Sequence, residues 1–187
     1  YLRGAFLPHV RVTDEGDLSR ESLEMAALFG MPCTLLHKPS TFDTTTLNYN
    51  WQVWNTHAFS LFTKTTGSID EASARQAEDG IVRFLAHVGA VREEALSTCA
   101  KTETGEPARI EESSLSNVRS ERAGGLFVPL VGPGDCVVRG QSLAEVRDTF
   151  DGSVRDTLRS PIDGRVFFSR TAPLVNQYSI AFKIAPQ

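Results

Sequence analysis

The chain has 187 residues, 41% of them hydrophobic and 22% charged, which is ordinary globular usage and excludes wholesale disorder. A formal net charge of −4 offers no basic footprint for nucleic acid or an anionic membrane, and no apolar run approaches the roughly 18 residues of a spanning helix. Three cysteines, Cys33, Cys99 and Cys136, are odd in number and far apart, which speaks against a secreted disulfide framework and for the cytoplasm.

Residues 1 to about 95 alternate short apolar strands with helical patterns, the α/β signature. Ser19 is placed to cap a helix running to Phe29, with Gly30 as its stop and Leu23, Ala26 and Ala27 on one buried face. Pro32–His37 reads as a buried strand. In Thr45–Asn55, Leu47, Trp51 and Trp54 fit one helical face, which predicts a helix. His57–Thr63 is a second strand. Asp70 then opens a long helix whose apolar positions Ala74, Ala77, Ile81, Phe84, Leu85 and Val88 predict its inner face, and Gly89 ends it. Strand, helix, strand, helix suggests part of a parallel sheet with flanking helices.

Lys101–Arg109 is polar, contains Gly105 and Pro107, and reads as a connector, placing a boundary near residue 105: an α/β domain over 1–104 and a β domain over 105–187. In the second region Gly124-Gly125 followed by Pro129-Leu130-Val131 is echoed by Asp163-Gly164 followed by Pro173-Leu174-Val175. Each is followed by a further strand, Ser142–Val146 and Ser179–Ile184. Two such halves joined through Thr149–Gly152 predict a small β-sandwich or flattened barrel of biotinyl or lipoyl type. A carrier of that type needs a lysine at the turn between its halves, whereas Arg147–Gly152 has none, so a swinging-arm role is not expected.

The chemistry-bearing residues are sparse. His9, His37, His57 and His87 belong to no His-x-x-Glu or His-Glu-x-x-His pair, and no Cys-x-x-Cys is present. Cys33 and His37 face one side of a strand, yet their span of about 13 Å is too great for one ion. Nucleophile-elbow, Walker and dinucleotide glycine patterns are absent; Gly124-Gly125 reads as a turn or a close backbone approach. The acidic pairs Glu93-Glu94 and Glu111-Glu112 read as solvated faces. In Pro8-His9-Val10-Arg11, an arginine after a strand-like run can grip a carboxylate with two parallel hydrogen bonds; the alternative is a surface pair with Asp14 or Glu15. Asn48 and Tyr49 either line a pocket or mark its solvent edge.

The run Gly124, Gly125, Pro129, Val131, Gly134, Asp135, Val137, Gly140, Leu143 and then Ser160, Pro161, Asp163, Gly164 resembles the C-terminal β domain of the succinylglutamate desuccinylase/aspartoacylase family. Tyr178 departs from it, standing where the family often has glycine. The PHVRV segment, the helix end ALFG, Thr46-Leu47 and the helix ending FLAHVGAV resemble the same family's α/β part. This resemblance implies a zinc carboxypeptidase-like fold, with a partial parallel or mixed sheet here. It also implies a zinc-bound water that hydrolyses the amide of an N-acylated amino acid, with the β domain beside the active-site mouth.

The family's zinc ligands, a His-x-x-Glu pair and a later histidine, are expected upstream of PHVR. The chain is therefore expected to be the C-terminal part of a longer zinc protein, holding no metal and inactive as it stands. The family's general-base glutamate aligns with Phe62, which cannot shuttle a proton. Asn48 falls where the family often has arginine, which loses a bidentate carboxylate grip. What remains are Arg11, His9, Asn48 and Tyr49 as substrate-binding candidates for a small N-acylated molecule. No nucleic acid or membrane partner is expected, and a homo-oligomer stays open. The alternative is a non-catalytic module on the same fold that binds a small molecule or a protein, which Phe62 favours.

Overall fold

The computed structural model describes residues 4–14, 19–65, 67, 69–99 and 105–187. In chain order its elements begin with β1 (Gly4–Phe6), β2 (His9–Thr13), α1 (Ser19–Ala26), β3 (Cys33–His37), α2 (Leu47–Val53), β4 (Phe59–Phe62), α3 (Glu71–His87) and β5 (Ala108–Glu111). Strands alone follow: β6 (Ser116–Arg119), β7 (Gly125–Pro129), β8 (Cys136–Val137), β9 (Ser142–Arg147), β10 (Val154–Arg159), β11 (Gly164–Arg170), β12 (Leu174–Val175) and β13 (Ile180–Pro186). These elements group into an α/β unit, Pro8–Thr63 with Ile69–Ser113, and a β unit built on Ser114–Gln187 together with β1 and Lys64–Thr65. Two strands thus cross the division at residue 105 that composition suggests. β5 hydrogen-bonds in parallel to β3, and β1 pairs antiparallel with β11. The connector reading at Lys101–Arg109 lies partly outside the described residues, and its Ala108 and Arg109 begin β5.

The α/β unit carries a four-stranded sheet in the order β4-β2-β3-β5. It is mixed: β2, β3 and β5 run parallel, while β4 is antiparallel to β2. One face is apolar. Val10 and Val12 pack with Ala26, Phe29 and Met31, and Leu36, Phe59, Leu61 and Phe84 border them. The Phe29 and Phe84 rings stack at 4.4 Å.

α1 passes into a 3-10 turn at Ala27–Phe29 and stops at Gly30, whose φ of 66° suits glycine. Asp70 caps α3 by accepting from the N–H groups of Ala72 and Ser73. The inward face of α3 is rotated from the predicted stripe: Ser73, Gly80 and Ala86 are buried, whereas Ile81 and Val88 are exposed. Gly80, lacking a Cβ, lies against the Phe29 carbonyl, and Arg83 Nη1 donates to that same carbonyl oxygen at 3.0 Å. A polar tie and a close backbone approach together set the rotation that apolar periodicity alone misplaces.

The β unit is a duplicated structure. β7, β8, β9 of the first half correspond to β11, β12, β13 of the second, and β6 corresponds to β10. β9 pairs with β7 and β10, as β13 pairs with β11 and β6. The two-residue strands exchange, β8 joining β11 and β12 joining β7. Two sheets result, β1-β11-β13-β6 with β8 beside β11, and β10-β9-β7-β12. They share one core in which Phe127, Leu143 and Val146 meet Val166, Phe182 and Ile184.

The glycine echo in the sequence is structural. A Cβ on Gly125 would collide with the Arg147 carbonyl, and one on Gly164 with the equivalent Ala185 carbonyl. The Pro-Leu-Val echo is out of register. Pro129 ends β7, whereas Leu174-Val175 form β12, whose counterpart is Cys136-Val137.

Candidate functional site

Alternation along β2 sends Val10 and Val12 to the apolar core and His9, Arg11 and Thr13 to the opposite, polar face. Strand register lays that face out in three rows. Phe62, His9 and Cys33 form the first, Ser60, Arg11, Leu35 and Ile110 the second, and Thr13 with His37 the third. The third row lies at the carboxyl ends of β2 and β3, where open α/β sheets place their ligands.

A chain of four charged or ionisable groups runs across this end. Arg11 Nη2 donates to Asp43 Oδ1 at 3.0 Å. The other Asp43 oxygen lies 3.1 Å from His37 Nε2, and Glu112, just after β5, engages His37 Nδ1. Asp43 is itself held by the Ser40 N–H at 2.8 Å and the Ser40 hydroxyl at 2.7 Å. The Glu112 carboxylate raises the His37 pKa above 6.5, against the opposing effects of burial and the Arg11 charge. Burial works to raise Asp43, but the Ser40 hydroxyl and N–H, together with His37, hold it well below the ordinary carboxylate range. Asp43 is therefore a fixed anion that orients the Arg11 guanidinium.

Asn48 ties α2 to the same face. Its Oδ1 accepts from the Thr13 hydroxyl at 2.9 Å and its Nδ2 donates to Ser60 Oγ at 3.1 Å. Thr46 caps the helix by accepting from the Tyr49 N–H. Because the sheet face below is polar, α2 turns its polar side inward. The predicted helix is present, with Gln52 2% exposed and the face shared by Leu47, Trp51 and Trp54 turned to solvent, Trp51 and Trp54 being 50% and 80% exposed.

Of the sequence candidates, Arg11 and Asn48 meet on this face, and Tyr49 contributes its backbone to the cap. His9 is buried two residues away along β2, with its ring stacked on Phe62 at 4.8 Å and an interplanar angle of 1°. Arg11 pairs with Asp43 rather than with Asp14; Glu15 lies outside the described residues. Glu112 is not a plain solvated acid, since it binds His37. Asp43, Ser40, Thr13 and Glu112 escaped sequence reasoning, because Glu112 and His37 are 75 residues apart and no local spacing links them.

Among the described residues no group of three His, Cys, Asp or Glu side chains could hold a metal ion. The histidines are otherwise engaged: His57 with the Ser22 hydroxyl at 2.8 Å, and His87 with the Arg83 carbonyl at 2.8 Å. Cys33 donates to the Pro8 carbonyl. No described helix is long and apolar enough to cross a membrane.

No family sequence model matches the chain. No curated protein matches it by sequence either. Solved structures do match. The product-bound ectoine utilization protein EutE (DoeB) of Ruegeria pomeroyi superimposes with a TM-score of 0.79 at 16% identity, over 99% of this chain and 55% of that one. A succinylglutamate desuccinylase/aspartoacylase of Rhodobacter sphaeroides gives 0.77 at 17%, over 99% and 55%. A succinylglutamate desuccinylase of Silicibacter sp. TM1040 gives 0.76 at 14%, over 98% and 54%. The chain therefore has the fold found in structures of the succinylglutamate desuccinylase/aspartoacylase family, and it spans about half the length of the structures it matches.

Proposed function

We propose that this chain is the C-terminal part of a cytoplasmic, zinc-dependent amidohydrolase-like protein of the succinylglutamate desuccinylase/aspartoacylase family, one that deacylates an N-acyl amino acid or a related amide. The observation that supports the reading is the fold match over 99% of the chain to a structure named as a succinylglutamate desuccinylase/aspartoacylase. Zinc in such an enzyme lowers the pKa of a bound water and polarises the amide carbonyl. The described residues do not fit a zinc site; in this reading the metal ligands lie elsewhere in the full-length protein, and the 187-residue chain alone is expected to be inactive. The duplicated β unit is of biotinyl/lipoyl type and, with no lysine in the turn Arg147–Gly152, is not a swinging-arm carrier.

Arg11 is the residue this chain contributes to substrate. With one Nη group fixed on Asp43, the remaining N–H groups grip a substrate carboxylate. Asn48, spent on Thr13 and Ser60, does not add a second grip, so the acyl or amine group differs from that of relatives with arginine there. In the full-length protein, Arg11→Gln should raise KM for an N-acyl amino acid by about 10–100-fold with kcat changed less, the loss of one charge-assisted pair. An unchanged KM would remove Arg11 from the substrate site.

A second reading, a binding module without catalysis, is favoured by Phe62. At the position of the family's base stands a phenyl ring stacked on buried His9. That reading predicts saturable binding of N-acyl amino acids by the full-length protein with no turnover.

A further inference from the structure

The duplication of the β unit creates a feature that the proposed hydrolysis does not use. β6 and β10 are equivalent strands, and each is the outermost strand of its sheet. Between them lies a groove of about 590 Å³, within the size range of small-molecule sites. Because its two walls are equivalent strands from the two halves, the approximate twofold axis of the unit passes through it. Its lining is rich in guanidinium groups: Arg119 and Arg122 from one side, Arg155 and Arg159 from the other, against the carboxylates of Glu121 and Asp156. With Arg155 paired to Asp148, Arg119, Arg122 and Arg159 stand against Glu121 and Asp156, a small positive surplus in a chain whose net charge is −4.

Two of these arginines are equivalent in position and in anchorage. Arg119 ends β6 and donates from Nη1 to the Tyr178 carbonyl at 3.0 Å. Arg159 ends β10 and donates from Nη1 to the Gly140 carbonyl at 2.9 Å. Tyr178 and Gly140 occupy the same left-handed turn position before β13 and β9, with φ of 64° and 83°. The residues that follow match as well. The Tyr178 N–H donates to the Ser120 carbonyl and the Gly140 N–H to the Ser160 carbonyl. Arg155 is steadied by Asp148 at 3.0 Å.

Charged residues on edge strands also deter strand pairing between molecules. A deterrent needs only charge and exposure. Here the Arg119 and Arg159 guanidinium groups are each tethered through one N–H to a backbone carbonyl, which orients the fork and leaves further donors for a ligand.

We propose that the groove between β6 and β10 binds a small dianion through the oriented guanidinium groups of Arg119 and Arg159, with Arg122 adding to the field. The shared chemistry is two anionic groups on one small molecule, either phosphoryl or carboxylate. This inference goes beyond the proposed hydrolysis and stands whether or not that reading holds.

The test is calorimetric titration of the full-length protein with pyrophosphate and, separately, with succinate, repeated with Arg119→Gln, Arg159→Gln and Arg139→Gln. Arg139 is an exposed arginine of the same unit outside the groove lining. The expected result is saturable binding at millimolar concentration or below. Each groove variant should weaken it about tenfold, one lost charge-assisted contact, while Arg139→Gln leaves it unchanged. The tighter of the two anions identifies the ligand as phosphoryl or dicarboxylate. Should a glutamine variant fail to fold, Arg119→Lys and Arg159→Lys keep the charge but lose the fork, and several-fold weaker binding is expected. No saturable binding of either anion, or equal weakening by Arg139→Gln, would overturn the proposal.

Discussion

The two units solve the problem of burying a sheet in opposite ways. In the β unit two sheets enclose one apolar core, and residues such as Phe182, Ile184 and Leu143 are fully buried within it. In the α/β unit only one sheet face is apolar; the other carries Arg11, Thr13, Ser60 and His37 and is bridged by hydrogen bonds and ion pairs. Duplication and closure stabilise the first. The second keeps a polar face, which costs packing and leaves oriented charge at the carboxyl ends of its parallel strands, the place where chemistry or recognition can occur.

That contrast can be broken most severely inside the closed core. Phe182→Ala should cost about 3–5 kcal/mol and unfold the β unit in a denaturant titration followed by circular dichroism, because neighbours from both sheets lose contact. A cost below 1 kcal/mol, on the order of a surface change, would mean the core is not shared. The duplication is sharpened by a matched pair. Gly125→Ala and Gly164→Ala each force a Cβ against an equivalent carbonyl and should each destabilise by about 1–3 kcal/mol. Clearly unequal costs would show that the two halves are not equivalent under load.

On the polar face, Asp43→Ala strips an acceptor from Arg11 and Ser40 together and should cost about 1–2 kcal/mol. Both tryptophans, Trp51 and Trp54, lie in the α/β unit, so their fluorescence isolates this transition from that of the β unit.

The smallest effect is one of pH. His37 has its pKa raised in the folded state, so its contribution is fully present below about 6.5 and is lost as pH rises through the folded value. Asp43 has its pKa lowered, so its contribution is present above its ordinary 3.8 and disappears only in strong acid. The groups facing His37 are Arg11, Asp43 and Glu112. The α/β unit should therefore lose stability as pH rises from about 6.5 through the raised His37 pKa. His37→Gln should flatten that slope, and an identical slope in the variant would assign it to another group.

The sequence carried much of this architecture, unevenly. Asp70 as a cap, Gly30 as a stop and the glycine pair echoed at Gly164 were readable because each serves a local backbone need. The facing of α2 and α3 was not. Periodicity assigns an apolar stripe inward, but α2 sits on a polar sheet face and is held there by Asn48, while α3 is turned by Gly80 and Arg83. Arg11 and Asn48 were visible as candidates. Asp43 and Glu112 were not, since their partners are brought near only by parallel register and by the turn after β5. The Pro-Leu-Val echo misled because composition repeats where register does not.

The proposed function makes this chain part of a zinc amidohydrolase-like protein. The most direct measurement is the zinc content of the full-length protein together with its turnover of a panel of N-acetyl and N-succinyl amino acids. About one zinc per chain with release of free amine and carboxylate is the predicted result, and it would also require a proton-shuttling group other than Phe62. A full-length protein that holds no zinc and cleaves none of the panel would contradict the claim and leave the fold alone standing.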